Sequence, residues 1–238
     1  MKAVKESTKK PKIKRTKLAD RKLPDYTKGE EVFNMTSHIF GAALGVVATV
    51  LCVVFAARNH NTWGIVSGAI YGATLILLYS MSSIYHGLSP KLHAKKVFQV
   101  LDHCTIFILI AGTYTPYTLA GIMTVDPVAA WIIFGIIWGA ALLGILLNSI
   151  DIKKYSKFSL ACYLIMGWCI VARADLIPKF LPPAGIWLLI LGGVSYTIGA
   201  VIYAIGKKSG KRYVHSIFHV FIVIGSLLQF FSILFFVM

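Results

Sequence analysis

The chain alternates long apolar stretches with short polar connections from about residue 35 to its end. Each apolar stretch has about 20 residues, the length that a helix needs to cross a hydrocarbon core of roughly 30 Å. Only helices and closed barrels satisfy their backbone hydrogen bonds in lipid, and these runs are too continuous for barrel strands. The pattern predicts an all-α membrane protein, a bundle of seven transmembrane helices at about residues 35–57, 63–85, 98–120, 128–148, 156–174, 184–205 and 214–237.

The composition agrees with a membrane location and leaves no room for a second folded domain. Of the 238 residues, 57% are hydrophobic, and the mean hydropathy is +0.74. Soluble domains carry less apolar material than this. We therefore expect a basic cytoplasmic tail at residues 1–29 and a seven-helix domain at residues 30–238.

The tail contains 11 Lys and Arg residues and no apolar stretch. This composition predicts a disordered segment without a secretory signal peptide. Basic tails also bind nucleic acid, but this one adjoins a membrane span and has almost no aromatic residues. We expect contact with anionic lipid headgroups and no nucleic-acid partner.

Positive charge is distributed unevenly between the two sides of the predicted bundle. Alternate connections, starting from the tail, hold 11, 3, 3 and 4 Lys and Arg residues, whereas the opposite side has only Arg58, Arg173 and Lys179. Lys and Arg are enriched in cytoplasmic loops. The pattern predicts a cytoplasmic N-terminus, an outer C-terminus and a multi-pass protein of the cell membrane, of the type found in bacterial inner membranes.

In this topology six of the seven histidines lie at the cytoplasmic level of the membrane, and only His60 lies on the far side. Asp102 opens the third helix at the same level. Ionisable groups in a span are costly and usually face the bundle interior. Shared depth therefore allows contact between these residues: His38, His86, His93, His103, His215 and His219.

The spacing of these residues predicts a metal site. His215 and His219 are four residues apart, so both rings lie on one helix face. His86 can supply a third ligand, which leaves an open position, the arrangement of a catalytic rather than a structural zinc site. Ser82 lies one turn before His86, and Asp102 could act as a base or orient a ligand.

Other polar residues at this level are open to more than one interpretation. Asn34 could cap the first helix or, with Glu31 and His38, form a polar layer beside the metal. His93 and His103 fit better as interface residues. The four cysteines form no CxxC pair, and we expect them to pack as buried, inert side chains.

These motifs together resemble the hemolysin III family, which is related to the progestin and adipoQ receptors, including the adiponectin receptors. The resemblance covers about residues 28–238 and is carried in order by EEVFNMTSH at 30–38, SSIYH at 82–86, LDHCTIF at 101–107 and HSIFH at 215–219. One departure is Ile39, where the bacterial motif has a glycine; here the glycine comes at Gly41.

The resemblance implies a Zn²⁺ ion near the cytoplasmic face, bound by His86, His215 and His219. It implies roles beside the ion for Ser82 and Asp102, and matches the family's Glu-Asn-His motif to Glu31, Asn34 and His38.

Three activities are open for such a protein. The first is a zinc-dependent hydrolase of membrane-lipid amide or ester bonds, which acts in lipid homeostasis. The second is a pore-forming cytolysin, and the third is a receptor-like protein with structural zinc. The positions of Ser82 and Asp102 favour the hydrolase. The absence of an amphipathic segment disfavours the cytolysin, and the short outer loops disfavour the receptor.

Overall fold

The computed structural model describes residues 15–238, except for the side chains of residues 207–209; the first 14 residues of the predicted basic tail lie outside it. Every regular element in the described part is helical. Short π and 3₁₀ turns follow the third helix, and a 3₁₀ turn follows the fourth. The α-helices are α1 (Lys28–Arg58), α2 (Thr62–Gly87), α3 (His93–Pro116), α4 (Pro127–Trp168), α5 (Ile177–Phe180), α6 (Pro183–Ser209) and α7 (Val214–Phe236).

Capping side chains define where several helices begin. The Thr27 hydroxyl accepts a hydrogen bond from the Glu30 backbone N–H, and the Glu30 carboxylate accepts one from the Thr27 N–H, which forms a capping box. Asn61 caps α2 in a similar way through the Gly64 N–H. Because α1 begins at Lys28, Asn34 lies inside the helix, and its interpretation as an N-cap is wrong.

Six helices in the described part of the chain are long and apolar enough to cross a membrane. The predicted span 128–148 and most of the predicted span 156–174 fall on α4, whose 42 residues would extend about 63 Å as one straight helix. The second of these spans ends at the 3₁₀ turn that follows α4. The helix is broken at Asp151, which has extended backbone angles of φ −163° and ψ 98°. The buried Asp151 carboxylate accepts hydrogen bonds from the Lys153 and Lys154 N–H groups beyond the break.

A small residue allows the N-terminal half of α1 and the C-terminal half of α2 to approach closely. A Cβ added at Gly41 would lie only 2.5 Å from Cδ1 of the Tyr79 ring. Tyr79 is fully buried, and its hydroxyl donates a 2.6 Å hydrogen bond to Ser226 Oγ on α7. Gly41 therefore provides the close contact at this turn of α1 and lets Tyr79 join the first, second and seventh helices.

We expect Gly41→Ala to destabilise the protein by about 1–3 kcal/mol, because the added methyl overpacks a ring that its hydrogen bond holds in place. Thermal unfolding of the purified protein in detergent measures this change. Gly139→Ala is the matched control, since nothing lies within 4 Å of its added Cβ. Equal melting temperatures for the two variants would contradict the assigned role of Gly41.

Candidate metal centre

Three imidazoles meet at one end of the bundle. His86 lies in the last turn of α2, and His215 and His219 lie one turn apart at the start of α7. One ring nitrogen of each residue lies within 4.8 Å of the other two. The Nε2 atoms of His215 and His219 are 3.1 Å apart, close to the roughly 3.3 Å edge of a nitrogen tetrahedron around zinc. The predicted histidines are thus brought together and could hold a metal ion.

One of the unpartnered atoms of this cluster, Nε2 of His86, fits a cation between the three rings. His86 Nε2, His215 Nδ1 and His219 Nδ1 are buried and have no hydrogen-bond partner in the described part of the chain. An unsatisfied buried polar atom costs about 1–3 kcal/mol. Imidazole nitrogen is a common ligand of Zn²⁺, so an ion between the three rings would satisfy the His86 nitrogen that has no partner.

Glu31 orients the His86 ring. Its Oε2 atom is 2.6 Å from His86 Nδ1, and because a carboxylate accepts, the proton of the ring is on Nδ1. This tautomer leaves the Nε2 lone pair free for a metal.

Lys95 is a member of this group that the sequence analysis missed. The charge pattern places Lys95 in the connection between the second and third spans. In the structure α3 already begins at His93, and Lys95 is only 2% exposed. Its ammonium donates a 2.8 Å hydrogen bond to the other oxygen of Glu31. The sequence does contain a signal for the inward position of Lys95. Lys95 stands four residues before Gln99 and seven before Asp102, so the three residues lie on one face of α3.

The His38 ring stacks on the His219 ring in an orientation that prevents His38 from being a ligand of the same ion. The His38 and His219 rings have centroids 3.7 Å apart and planes inclined by 14°. Nitrogen lone pairs lie in the ring plane, so an ion bound by His219 lies beside the His38 ring face rather than in line with its nitrogens. Among the described residues, neither nitrogen of the buried His38 ring has a hydrogen-bond partner, and neither does the buried side-chain amide of Asn34 one turn earlier.

A cavity of about 1070 Å³ adjoins the three-histidine cluster. Ser82, Asp102, His215 and His219 all contribute to its wall, together with His38. The Ser82 hydroxyl is buried and has no partner in the described residues, and Asp102 is half-buried. The remaining wall is largely apolar and includes Leu78, Ile106, Leu109, Leu160 and Ile222.

The other predicted positions lie away from the cluster or at its edge. His93 is exposed at the start of α3, and His60 lies in the turn between α1 and α2. His103 is half-buried on the cavity wall next to Asp102. All four cysteines are free thiols; Cys52 and Cys104 are buried, and Cys162 and Cys169 are half-buried.

Tyr26, just before α1, is a second residue that the sequence analysis did not single out. Its ring stacks on His215, with centroids 5.1 Å apart and planes inclined by 10°. Burial raises the pKa of the Tyr26 hydroxyl well above its usual value, and the nearby carboxylates of Asp102 and Glu31 raise it further. Tyr26 therefore contributes a neutral phenol beside the cluster at neutral pH.

Comparison with known proteins gives consistent relatives over nearly the whole helical region. A family model described as "Haemolysin-III related" matches residues 26–230. "Hemolysin-3" of Bacillus cereus is 34% identical over 210 residues, 88% of this chain and 92% of the relative. "Hemolysin-3 homolog" of Bacillus subtilis (strain 168) is 35% identical over 211 residues, 89% of this chain and 96% of the relative. "Monocyte to macrophage differentiation factor" of Homo sapiens is more distant, 26% identical over 209 residues, 86% of this chain and 83% of the relative.

Proposed function

Since the chain belongs to the haemolysin-III-related family and is a multi-pass membrane protein, we propose that it is a zinc-dependent hydrolase of membrane-lipid amide or ester bonds that serves lipid homeostasis. The observation that carries this proposal is the shared cavity. Two histidines of the cluster, the unpartnered Ser82 hydroxyl and the Asp102 carboxylate all lie on the wall of one largely apolar space.

Each residue has a separate task in this proposal. His86, His215 and His219 would hold a zinc ion, which when bound would supply a Lewis acid for a carbonyl and for water at neutral pH. Asp102 accepts the proton of the attacking water as general base and then donates it to the amine or alcohol that leaves as the C–N or C–O bond breaks. The Ser82 hydroxyl donates a hydrogen bond to the carbonyl oxygen of the lipid as negative charge develops on it. The apolar walls of the cavity receive the acyl chain.

A purely structural ion fits these residues less well. An ion that only ties α2 to α7 needs the three imidazoles but neither a carboxylate nor an unpartnered hydroxyl on a cavity wall. The hemolysin names belong to the two bacterial relatives, and no feature of the described residues favours a cytolytic activity over hydrolysis.

We also propose seven membrane crossings, with the two parts of α4 on either side of Asp151 as separate spans. The length of α4, about twice that of a bilayer core, supports this count. The charge distribution then supports a cytoplasmic N-terminus, an outer C-terminus and a bacterial inner membrane. The partners in this proposal are membrane lipids, with anionic headgroups at the basic tail and no nucleic acid.

The first test is metal content. The purified full-length protein should bind about one zinc ion per chain, and replacing His86, His215 and His219 together with Ala should abolish binding, because each ligand of a rigid site is needed. His60→Ala and His93→Ala are the controls and should bind as the wild type does. Elemental analysis after dialysis measures the ratio; equal zinc in the wild type and the triple variant would remove the site.

The second test is topology. An alkaline phosphatase fused after Met238 should be active, because that end is proposed to be outside, and the same reporter after Lys96 should be silent. Inverted activities would place the three-histidine cluster at the outer face and refute the proposed orientation.

The third test is catalysis. Asp102→Asn keeps the size of the side chain and removes the base, so it should retain zinc and lose turnover roughly 10²-fold or more. Ser82→Ala should lose less, since one hydrogen-bond donor is only part of the stabilisation. Release of free fatty acid from amide- and ester-linked lipids is measured beside zinc content. Wild-type turnover by Asp102→Asn would show that the base is wrongly assigned, and full zinc without release from any lipid would refute the hydrolase.

A further inference from the structure

Lys95 is buried. Its neighbour Lys96, in the same turn of α3, is not buried. Lys96 is half-exposed and donates to the Ala19 carbonyl of the N-terminal segment. The Lys95 ammonium instead turns inward, toward the end of α2. Ionisable groups in membrane helices are expensive and usually mark functional positions.

Every hydrogen of this ammonium has an acceptor within reach. Lys95 Nζ lies 2.8 Å from Glu31 Oε1, 2.8 Å from the Leu88 carbonyl oxygen and 3.5 Å from the His86 carbonyl oxygen. It also lies 5.0 Å from the centroid of the Tyr85 ring, within cation–π distance. One lysine therefore contacts the carboxylate that orients His86, and also the backbone of His86 itself.

The carboxylate of Glu31 is shared between two partners, one oxygen for each. Oε2 faces His86 Nδ1 at 2.6 Å, and Oε1 faces Lys95 Nζ at 2.8 Å. A glutamate side chain has three rotatable bonds, so a single hydrogen bond to His86 does not fix the plane of the carboxylate. The second contact fixes that plane, and through it the direction of the His86 ring.

We propose that Lys95 is a positioning residue of the metal centre, acting through Glu31 to aim His86 Nε2 at the ion. This inference rests on the metal site of the proposed function and not on hydrolysis. Lys95 on α3, Glu31 on α1 and His86 on α2 form a row of hydrogen-bonded side chains, from ammonium to carboxylate to imidazole. Lys95 is the member farthest from the ion.

The test compares Lys95→Met with Lys96→Met in the purified full-length protein. Both variants remove one lysine charge from the same turn, but only the first removes the partner of Glu31. The dissociation constant for Zn²⁺, measured by competition with a chelator, should rise about 10- to 100-fold in Lys95→Met, the usual effect of losing an outer partner of a metal ligand. Lys96→Met should bind as tightly as the wild type. Equal affinities for Lys95→Met and the wild type would overturn the inference.

A double-mutant cycle separates positioning from general structural damage. If Lys95 acts through Glu31, then Lys95→Met should have almost no further effect on zinc affinity once Glu31→Gln is present. A second loss of the same size in the double variant would show that Lys95 acts independently of Glu31, and would also overturn the inference. If Lys95→Met is not recovered folded, Lys95→Gln takes its place with the same expectation, since its amide can donate to the Leu88 carbonyl but carries no charge.

The outcomes distinguish this inference from the function on which it rests. Zinc binding that weakens in Lys95→Met, in a protein that hydrolyses no lipid, supports the positioning role and refutes the hydrolase. Lipid hydrolysis with unchanged zinc affinity in Lys95→Met supports the hydrolase and refutes the positioning role. A wild-type protein that binds no zinc refutes both.

Discussion

Two adjacent carboxylates at the start of α1 hold the ends of four helices together. Glu30 accepts a 2.6 Å hydrogen bond from the Tyr213 N–H at the start of α7. Glu31 binds His86 on α2 and Lys95 on α3. Charges at this depth are costly unless they are paired and hydrogen-bonded, so these contacts restrict how the four helix ends can be arranged. The position of the three imidazoles depends on that arrangement.

Deeper in the bundle, hydroxyl groups replace charges as the polar contacts between helices. Ser226 Oγ on α7 accepts a hydrogen bond from Tyr79 on α2 and lies 2.8 Å from the Tyr196 hydroxyl on α6. Further along α7, Gln229 accepts a 2.8 Å hydrogen bond from the Tyr117 hydroxyl. In lipid, where apolar burial gives little preference between partners, such contacts help to select which helix faces meet. They also connect the wall of the cavity to the helices that carry the candidate metal ligands.

The sequence predicts the parts of this structure that depend on local spacing. The four-residue spacing of His215 and His219, and a membrane depth shared with His86, are enough to predict the cluster. Hydropathy also predicts where most helices lie. Hydropathy does not predict the buried position of Lys95 or its ion pair with Glu31. A count of charges assigns any lysine near a helix end to a loop, and Glu31 is 64 positions away. Hydropathy places an interruption between residues 148 and 156, but it does not predict that the break falls at Asp151, since the break depends on a carboxylate that binds backbone N–H groups rather than on a glycine or proline.

The ligands of the candidate metal centre also set the order in which the site can form during synthesis. His86 belongs to the second helix of the chain and His215 and His219 to the last, and more than half of the sequence separates them. The ribosome therefore completes α2, α3, α4 and α6 before either histidine of α7 exists. A nascent chain can insert most of its helices without any capacity to hold the ion between three imidazoles. The centre becomes complete only when α7 packs against α6 and α1 and brings its two histidines to His86 of α2, so metal loading would report that the membrane domain has been fully assembled.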